Sequence, residues 1–168
     1  YCNTISFTFF SILMKIYKTI VKKLIKKNYT LSIVESCTGG QFSSAVTSVS
    51  GSSKIFDLGI VSYSNQAKIK IIKIKPLLLK RYGAVSSKVC TAMLSGLSKL
   101  SRSKIKIAIT GIAGPKGGTK KKPVGLVYVG IKINNKISIF KHNFKNLGRH
   151  YIQKQTIKKT MIMLNKLI

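Results

Sequence analysis

A chain of 168 residues supplies one hydrophobic core and little room for two, so a single domain is expected. Its formal charge of +29 comes from 31 Lys+Arg against 2 Asp+Glu, which leaves paired-carboxylate chemistry poorly supplied. Three cysteines, Cys2, Cys37 and Cys90, are odd in number and share no metal-ligand spacing, which argues against a disulfide framework or a zinc site and fits a reducing cytosol.

The apolar run from Ile5 to Met14 is too short to cross a bilayer and has no basic residue before it, so neither a membrane span nor a signal peptide is expected. Tyr1 opens the chain and Met14 opens an amphipathic segment. Residues 1–13 are therefore expected to be a non-native or disordered extension, and residues 14–168 the domain. Within that first segment Ile16, Ile20, Val21, Leu24 and Ile25 recur at helical spacing, with lysines on the other face.

Leu31 to Glu35 reads as a buried strand and Thr38 to Ser48 as a helix whose Phe42, Ala45 and Val46 face the sheet. Phe56 to Tyr63 is a strand rich in β-branched residues. Gln66 to Ile74 fits neither period, and helix resumes around Pro76 to Lys80. Ser86 starts another helix, with Val89, Met93, Leu97 and Leu100 on one face.

Lys104 to Thr110 alternates strictly, placing Ile105, Ile107 and Ile109 on one side of a strand, and the glycine-rich 111–119 segment behind it reads as a loop. Val124 to Ile131 and Lys136 to Phe140 form a hairpin around Asn134-Asn135, and Tyr151 to Leu167 closes the chain as a helix. Helices alternating with strands early and a hairpin late predict an α/β fold, a three-layer α/β/α domain with a mixed sheet.

Three polar or glycine-rich segments fall at predicted strand ends: Ser36 to Gly40, Tyr63 to Lys68, and Thr110 to Thr119. Ligands gather in the crevice at the carboxyl ends of strands in open α/β sheets, so these segments are expected to share a site. With His142 and His150 far along the chain, a Ser-His-Asp arrangement is poorly supplied, as is metal-assisted hydrolysis. What remains is a serine with a lysine or tyrosine as base: Ser36 as nucleophile passing its proton to Lys68, with Tyr63 as relay or orienter and the N–H groups of the Ser36-to-Gly40 turn holding an oxyanion. Backbone freed by Gly111, Gly114, Gly117 and Gly118, and by the helix start after Gly39-Gly40, suits a phosphate. Against this stands the plain reading of Glu35 to Gly40 as a capped turn and of Lys68 as one more solvated lysine.

The motifs Glu35-Ser36-Cys37-Thr38-Gly39-Gly40, Gly51-Ser52-Ser53, Gly59 to Lys68, Gly83-Ala84-Val85-Ser86, Thr110 to Gly118 and Lys122-Pro123-Val124-Gly125 occur in the order found in the CinA C-terminal domain family, which the chain resembles over roughly residues 20 to 160. Stand-alone members of that family are nicotinamide mononucleotide deamidases. The resemblance implies hydrolysis of the carboxamide of nicotinamide mononucleotide to nicotinic acid mononucleotide and ammonia in pyridine-nucleotide salvage, with no cofactor and no metal. It implies Ser36 as nucleophile, Tyr63 and Lys68 as its activating partners, and a substrate site formed by Cys37, Thr38, Gly39, Gly40, Thr110, Gly111, Gly114, Gly117 and Arg149. It also implies a homodimer or higher homo-oligomer, and the cysteine usage a cytoplasmic location. The family pattern near the C-terminus resembles Gly-Asp-Arg followed by a second Arg; here Leu147-Gly148-Arg149 and Gln153 stand instead, so only Arg149 carries over.

Two alternatives stand beside the amidase. One is a catalytically decayed family member. The other is a basic nucleic-acid-associated protein, for which the charge is the whole case: only Arg81, Arg102 and Arg149 are arginines, and the lysines are spread along the chain without regular aromatic interleaving. Drift in an A/T-rich genome, which favours Lys, Ile and Asn, accounts for the same composition. Nonspecific binding to nucleic acid follows from the charge in either case.

Overall fold

The computed structural model describes residues 3–168, with side chains from Met14 onward. The expected extension over residues 1–13 falls on side chains outside that description. Among the described residues the chain runs α1 (Asn3–Lys26), β1 (Leu31–Glu35), α2 (Gln41–Thr47), a 3₁₀ turn (Ser52–Lys54), β2 (Phe56–Val61), α3 (Asn65–Lys70), α4 (Pro76–Tyr82), α5 (Ser87–Leu100), β3 (Ile105–Gly111), β4 (Leu126–Ile133), β5 (Lys136–Asn143) and α6 (Arg149–Leu167).

The five strands form one sheet in the order β2-β1-β3-β4-β5. β1 pairs in parallel with both β2 and β3, whereas β4 runs antiparallel to β3 and β5 antiparallel to β4. The expected mixed α/β/α architecture is what the chain adopts. One core layer joins Ile20, Val21 and Leu24 of α1, Phe42 and Val46 of α2 and Ile152, Met161 and Leu164 of α6 to the face bearing Ile33, Ile105, Ile107 and Ile109. The opposite layer packs Val89, Met93, Leu94 and Leu97 of α5 with Leu79 of α4 against Val34 and Ala108.

The central strand β3 departs from its pattern in one respect. Its alternation is real, yet the second face is buried as well: Lys106, Ala108 and Thr110 are all enclosed. Lys106 is tolerated because its ammonium donates to the Ser103 carbonyl, and Thr110 because its hydroxyl donates to the Ala84 carbonyl at 2.9 Å.

Other boundaries shift for local reasons. α2 begins at Gln41 instead of Thr38, because Gly39 and Gly40 adopt φ of +61° and +90° and complete a turn first. β2 stops at Val61, and the ambiguous 66–74 stretch begins with the short helix α3, capped by Ser64 Oγ, which accepts from the Ala67 N–H at 3.0 Å. Leu100 ends α5 exposed, not on the buried face. Gly111 belongs to β3, and α6 starts at Arg149, two residues early.

β1 connects to β2 on one side of it, while β3 leads to β4 on the other. The chain therefore leaves the two central strands in opposite directions and opens a crevice beyond their carboxyl ends, where Glu35 of β1 lies in register with Ile109 of β3.

Candidate active site

The crevice is a pocket of about 250 Å³ lined by residues that include Ser36, Cys37, Tyr63, Lys68, Thr110, Gly111, Gly114, Gly117 and Arg149. It thus gathers most of the residues expected at the site. Thr38, Gly39 and Gly40 are not in its wall. Thr38 is fully buried, and its hydroxyl has no hydrogen-bond partner among the described residues.

Ser36 follows directly from β1, held by its own N–H, which donates to the Ile109 carbonyl at 3.0 Å. What fixes the turn after it is Glu35. This carboxylate, fully buried, accepts from the Gly40 and Phe42 N–H groups at 3.1 Å through Oε2, and from the Ser43 N–H at 2.8 Å and the Ser43 hydroxyl at 2.7 Å through Oε1. The positive end of α2 is therefore occupied from within. The expectation that the helix start after Gly39-Gly40 receives a phosphate is corrected by this: those N–H groups are already bonded to Glu35. The same bond takes Gly40 out of the expected oxyanion turn, and the Gly39 N–H donates to the Ser36 carbonyl at 3.1 Å. The Cys37 and Thr38 N–H groups are the ones in this turn without an oxygen acceptor among the described residues.

Lys68 is 1% exposed and far from a solvated surface lysine. Its Nζ lies 3.0 Å from Ser36 Oγ, 2.6 Å from the Ser62 carbonyl oxygen and 3.3 Å from that of Tyr63. Burial lowers its pKa, because the charged form loses solvation and no carboxylate is bonded to it. Burial also raises the Cys37 thiol to about 12, which leaves that side chain protonated and inert beside the serine.

Tyr63 departs from expectation. Its hydroxyl contacts neither Ser36 nor Lys68; it accepts from Arg149 Nη2 at 2.6 Å, while Arg149 Nη1 donates to the Gly114 carbonyl at 2.9 Å. Residue 63 reaches the lysine only through its main-chain carbonyl. Thr110 is likewise engaged as a donor, bracing the Gly83-to-Ser86 segment through Ala84, whose neighbour Val85 also lines the pocket.

Two residues found here carried no site role in the sequence reading, although Gln153 stands where the family pattern has its second arginine. Gln153, 5% exposed on α6, donates from Nε2 to the Cys37 carbonyl and accepts from Gln41 Nε2, each at 2.9 Å, so it buttresses the serine turn from below. Lys116 lines the pocket and adds a second basic side chain to Arg149 beside the buried Lys68. Its place in a glycine-rich loop was the one signal available for it. The histidines lie elsewhere: His142 stacks on Phe144 at 5.4 Å, and burial lowers its pKa. Among the described residues no three His, Cys, Asp or Glu side chains cluster as metal ligands, and no helix is long and apolar enough to cross a membrane.

The family model described as the CinA C-terminal domain matches residues 13–168. A CinA-like protein of Fusobacterium nucleatum is 47% identical over 143 residues, which are 85% of this chain and 34% of that protein. A putative competence-damage inducible protein of Acetivibrio thermocellus is 53% identical over 110 residues, 66% of this chain and 27% of the relative. The chain thus spans about a third of the length of the curated relatives it matches. Among solved structures, the competence/damage inducible protein CihA of Agrobacterium tumefaciens superposes with a TM-score of 0.89 at 34% identity, covering 92% of this chain and 94% of that one. A CinA superfamily protein of Escherichia coli gives 0.88 at 29% identity, over 93% and 90%.

Proposed function

The chain belongs to the CinA C-terminal domain family, and from its pocket we propose that it hydrolyses the carboxamide of nicotinamide mononucleotide to nicotinic acid mononucleotide and ammonia. The observation that carries this reading is the buried Lys68 Nζ placed 3.0 Å from Ser36 Oγ, with carbonyl oxygens as its other partners.

A neutral lysine amine has two N–H donors and one lone pair. The Ser62 and Tyr63 carbonyls take the donors, and the lone pair accepts the Ser36 hydroxyl proton. Ser36 Oγ then attacks the carboxamide carbon, its proton passes to Nζ, and the carbonyl oxygen becomes an oxyanion on the side of the Cys37 N–H, the one of the two unbonded turn residues that lines the pocket. The Lys68 ammonium, steadied by the two carbonyls, returns the proton to the amide nitrogen. The C–N bond breaks and ammonia leaves an acyl ester on Ser36. Water attacks that ester with Lys68 again as base, and the bond to Oγ breaks to give the carboxylic acid and free serine. Arg149 and Lys116 supply the positive charge that the substrate's phosphate requires.

Incubating the protein with nicotinamide mononucleotide and following ammonia tests the reading. Turnover is expected, with a loss of at least about a thousandfold in Ser36→Ala and in Lys68→Met. A folded chain that produces no ammonia is the decayed member, and the reading fails. Undiminished turnover in Ser36→Ala removes the nucleophile assignment alone.

A further inference from the structure

We infer that Tyr63 is a positioning residue for Arg149: its hydroxyl and the Gly114 carbonyl together hold the guanidinium at the pocket as the receptor for the substrate's anionic group. The inference rests on the mononucleotide reading above and changes the task of one residue within it.

Arg149 stands at the start of α6, Tyr63 between β2 and α3, and Gly114 in the loop after β3. The two bonds, Nη2 to the Tyr63 oxygen at 2.6 Å and Nη1 to the Gly114 oxygen at 2.9 Å, tie these three segments together around the pocket. An arginine side chain left free loses about 2 kcal/mol of rotamer entropy when a ligand first orders it. Holding the guanidinium in advance removes much of that cost from binding.

Both acceptors are neutral, so the charge of the guanidinium is kept. No carboxylate lines the pocket among the described residues, and the one beside Ser36, Glu35, is buried and saturated by four donors. Of the five guanidinium N–H donors, two are engaged here and three remain for an anion. Because arginine only donates, the Tyr63 oxygen is the acceptor in their bond. The competing anion receptor, the start of α2, is already filled by Glu35. Residue 63 therefore divides its work, with the main-chain carbonyl on Lys68 and the phenol on Arg149.

Tyr63→Phe separates these tasks, since it deletes the hydroxyl and keeps the carbonyl, and a side chain 58% exposed is replaced without disturbing the core. Calorimetry in a Ser36→Ala background measures binding of nicotinamide mononucleotide and of the unphosphorylated riboside. Tyr63→Phe is expected to weaken the mononucleotide about tenfold, the effect of one hydrogen bond to a charged group, and to leave the riboside unaltered. In turnover the loss falls on KM rather than kcat, and the acid limb of the pH profile stays in place. Added to Arg149→Ala, it has no further effect. A fall in kcat at unchanged affinity, equal losses for both ligands, or additivity with Arg149→Ala overturns the inference. So does failure of the unaltered pocket to prefer the phosphorylated ligand. Tyr63-dependent phosphate preference without turnover by the parent chain sinks the amidase reading and leaves this one standing.

Discussion

Lys68 and Glu35 show what a charge inside this protein requires. Lys68 has three oxygen neighbours and no bonded acid, so burial lowers its pKa from the ordinary value of 10.5. In the window between the folded and the unfolded pKa the unfolded chain holds more protons, and stability rises with pH there. The penalty is complete below the folded pKa and gone above 10.5. The difference in Tm between the parent chain and Lys68→Met is therefore expected to move in favour of the parent as pH rises toward 10.5. Under the proposed mechanism, with the neutral amine as base, kcat/KM for the amide rises over the same limb. A pH-independent Tm difference would contradict the lowered pKa. Glu35 is the opposite case, a carboxylate whose two oxygens each accept two bonds. Gln at this position turns one NH₂ toward two donors whichever way its amide is set. We expect Glu35→Gln to cost about 2–4 kcal/mol, read as a shift of the urea midpoint at constant m.

At the scale of elements, β3 and the turn after β1 divide what the sequence makes legible from what it hides. Strand β3 was visible because Ile105, Ile107 and Ile109 repeat at the period of a pleat. Burial of its other face was not, since Lys106 and Thr110 read as polar until the Ser103 carbonyl just before the strand and the Ala84 carbonyl from a separate segment satisfy them. The serine, the lysine and the glycine loop were legible as polar breaks at strand ends. Glu35 as the cap of α2, Gln153 beneath Cys37 and the Arg149 partner of Tyr63 were not, because each depends on contacts between residues that no local pattern links. Gly111 illustrates how close those contacts are. A Cβ there meets Val127 Cγ2 at 2.6 Å, the Leu126 carbonyl oxygen at 2.9 Å and Cys37 Sγ at 3.0 Å. The valine can turn away, but the carbonyl belongs to β4 and the thiol to the serine turn. Gly111→Ala is expected to cost about 1–3 kcal/mol and, well below its Tm, to lower kcat/KM by displacing Ser36. Full activity in a destabilised variant would show that strain there is absorbed by the strand alone.

For the molecule as a whole the governing quantity is +29 on 168 residues. Both carboxylates are hydrogen-bonded: the buried Glu35 caps α2, and Asp57, exposed on β2, accepts through Oδ2 from the Ser32, Ser101 and Ser103 hydroxyls at 3.1, 2.6 and 2.9 Å. The Ser101 bond first, and then that of Ser103, holds the Asp57 carboxyl below its usual range. Lysines meanwhile crowd the surface. Lys15, Lys18, Lys22 and Lys26 are exposed on α1, and Lys154, Lys159 and Lys166 on α6, the two helices packing side by side. Self-repulsion of this kind opposes compaction, and salt relieves it as the Debye length falls from about 30 Å at 0.01 M to about 8 Å at 0.15 M. Tm is therefore expected to rise by several degrees between about 0.02 and 0.5 M NaCl, where most proteins of balanced charge change little. The same physics governs RNA. Each phosphate contact made by a lysine releases counterions, so affinity for any sequence should fall steeply with salt and vanish at moderate concentration. That outcome makes the charge incidental to the Ser36 pocket. Selective affinity that survives 0.2 M salt would instead require base or shape contacts, and would move a nucleic-acid partner from by-product to function.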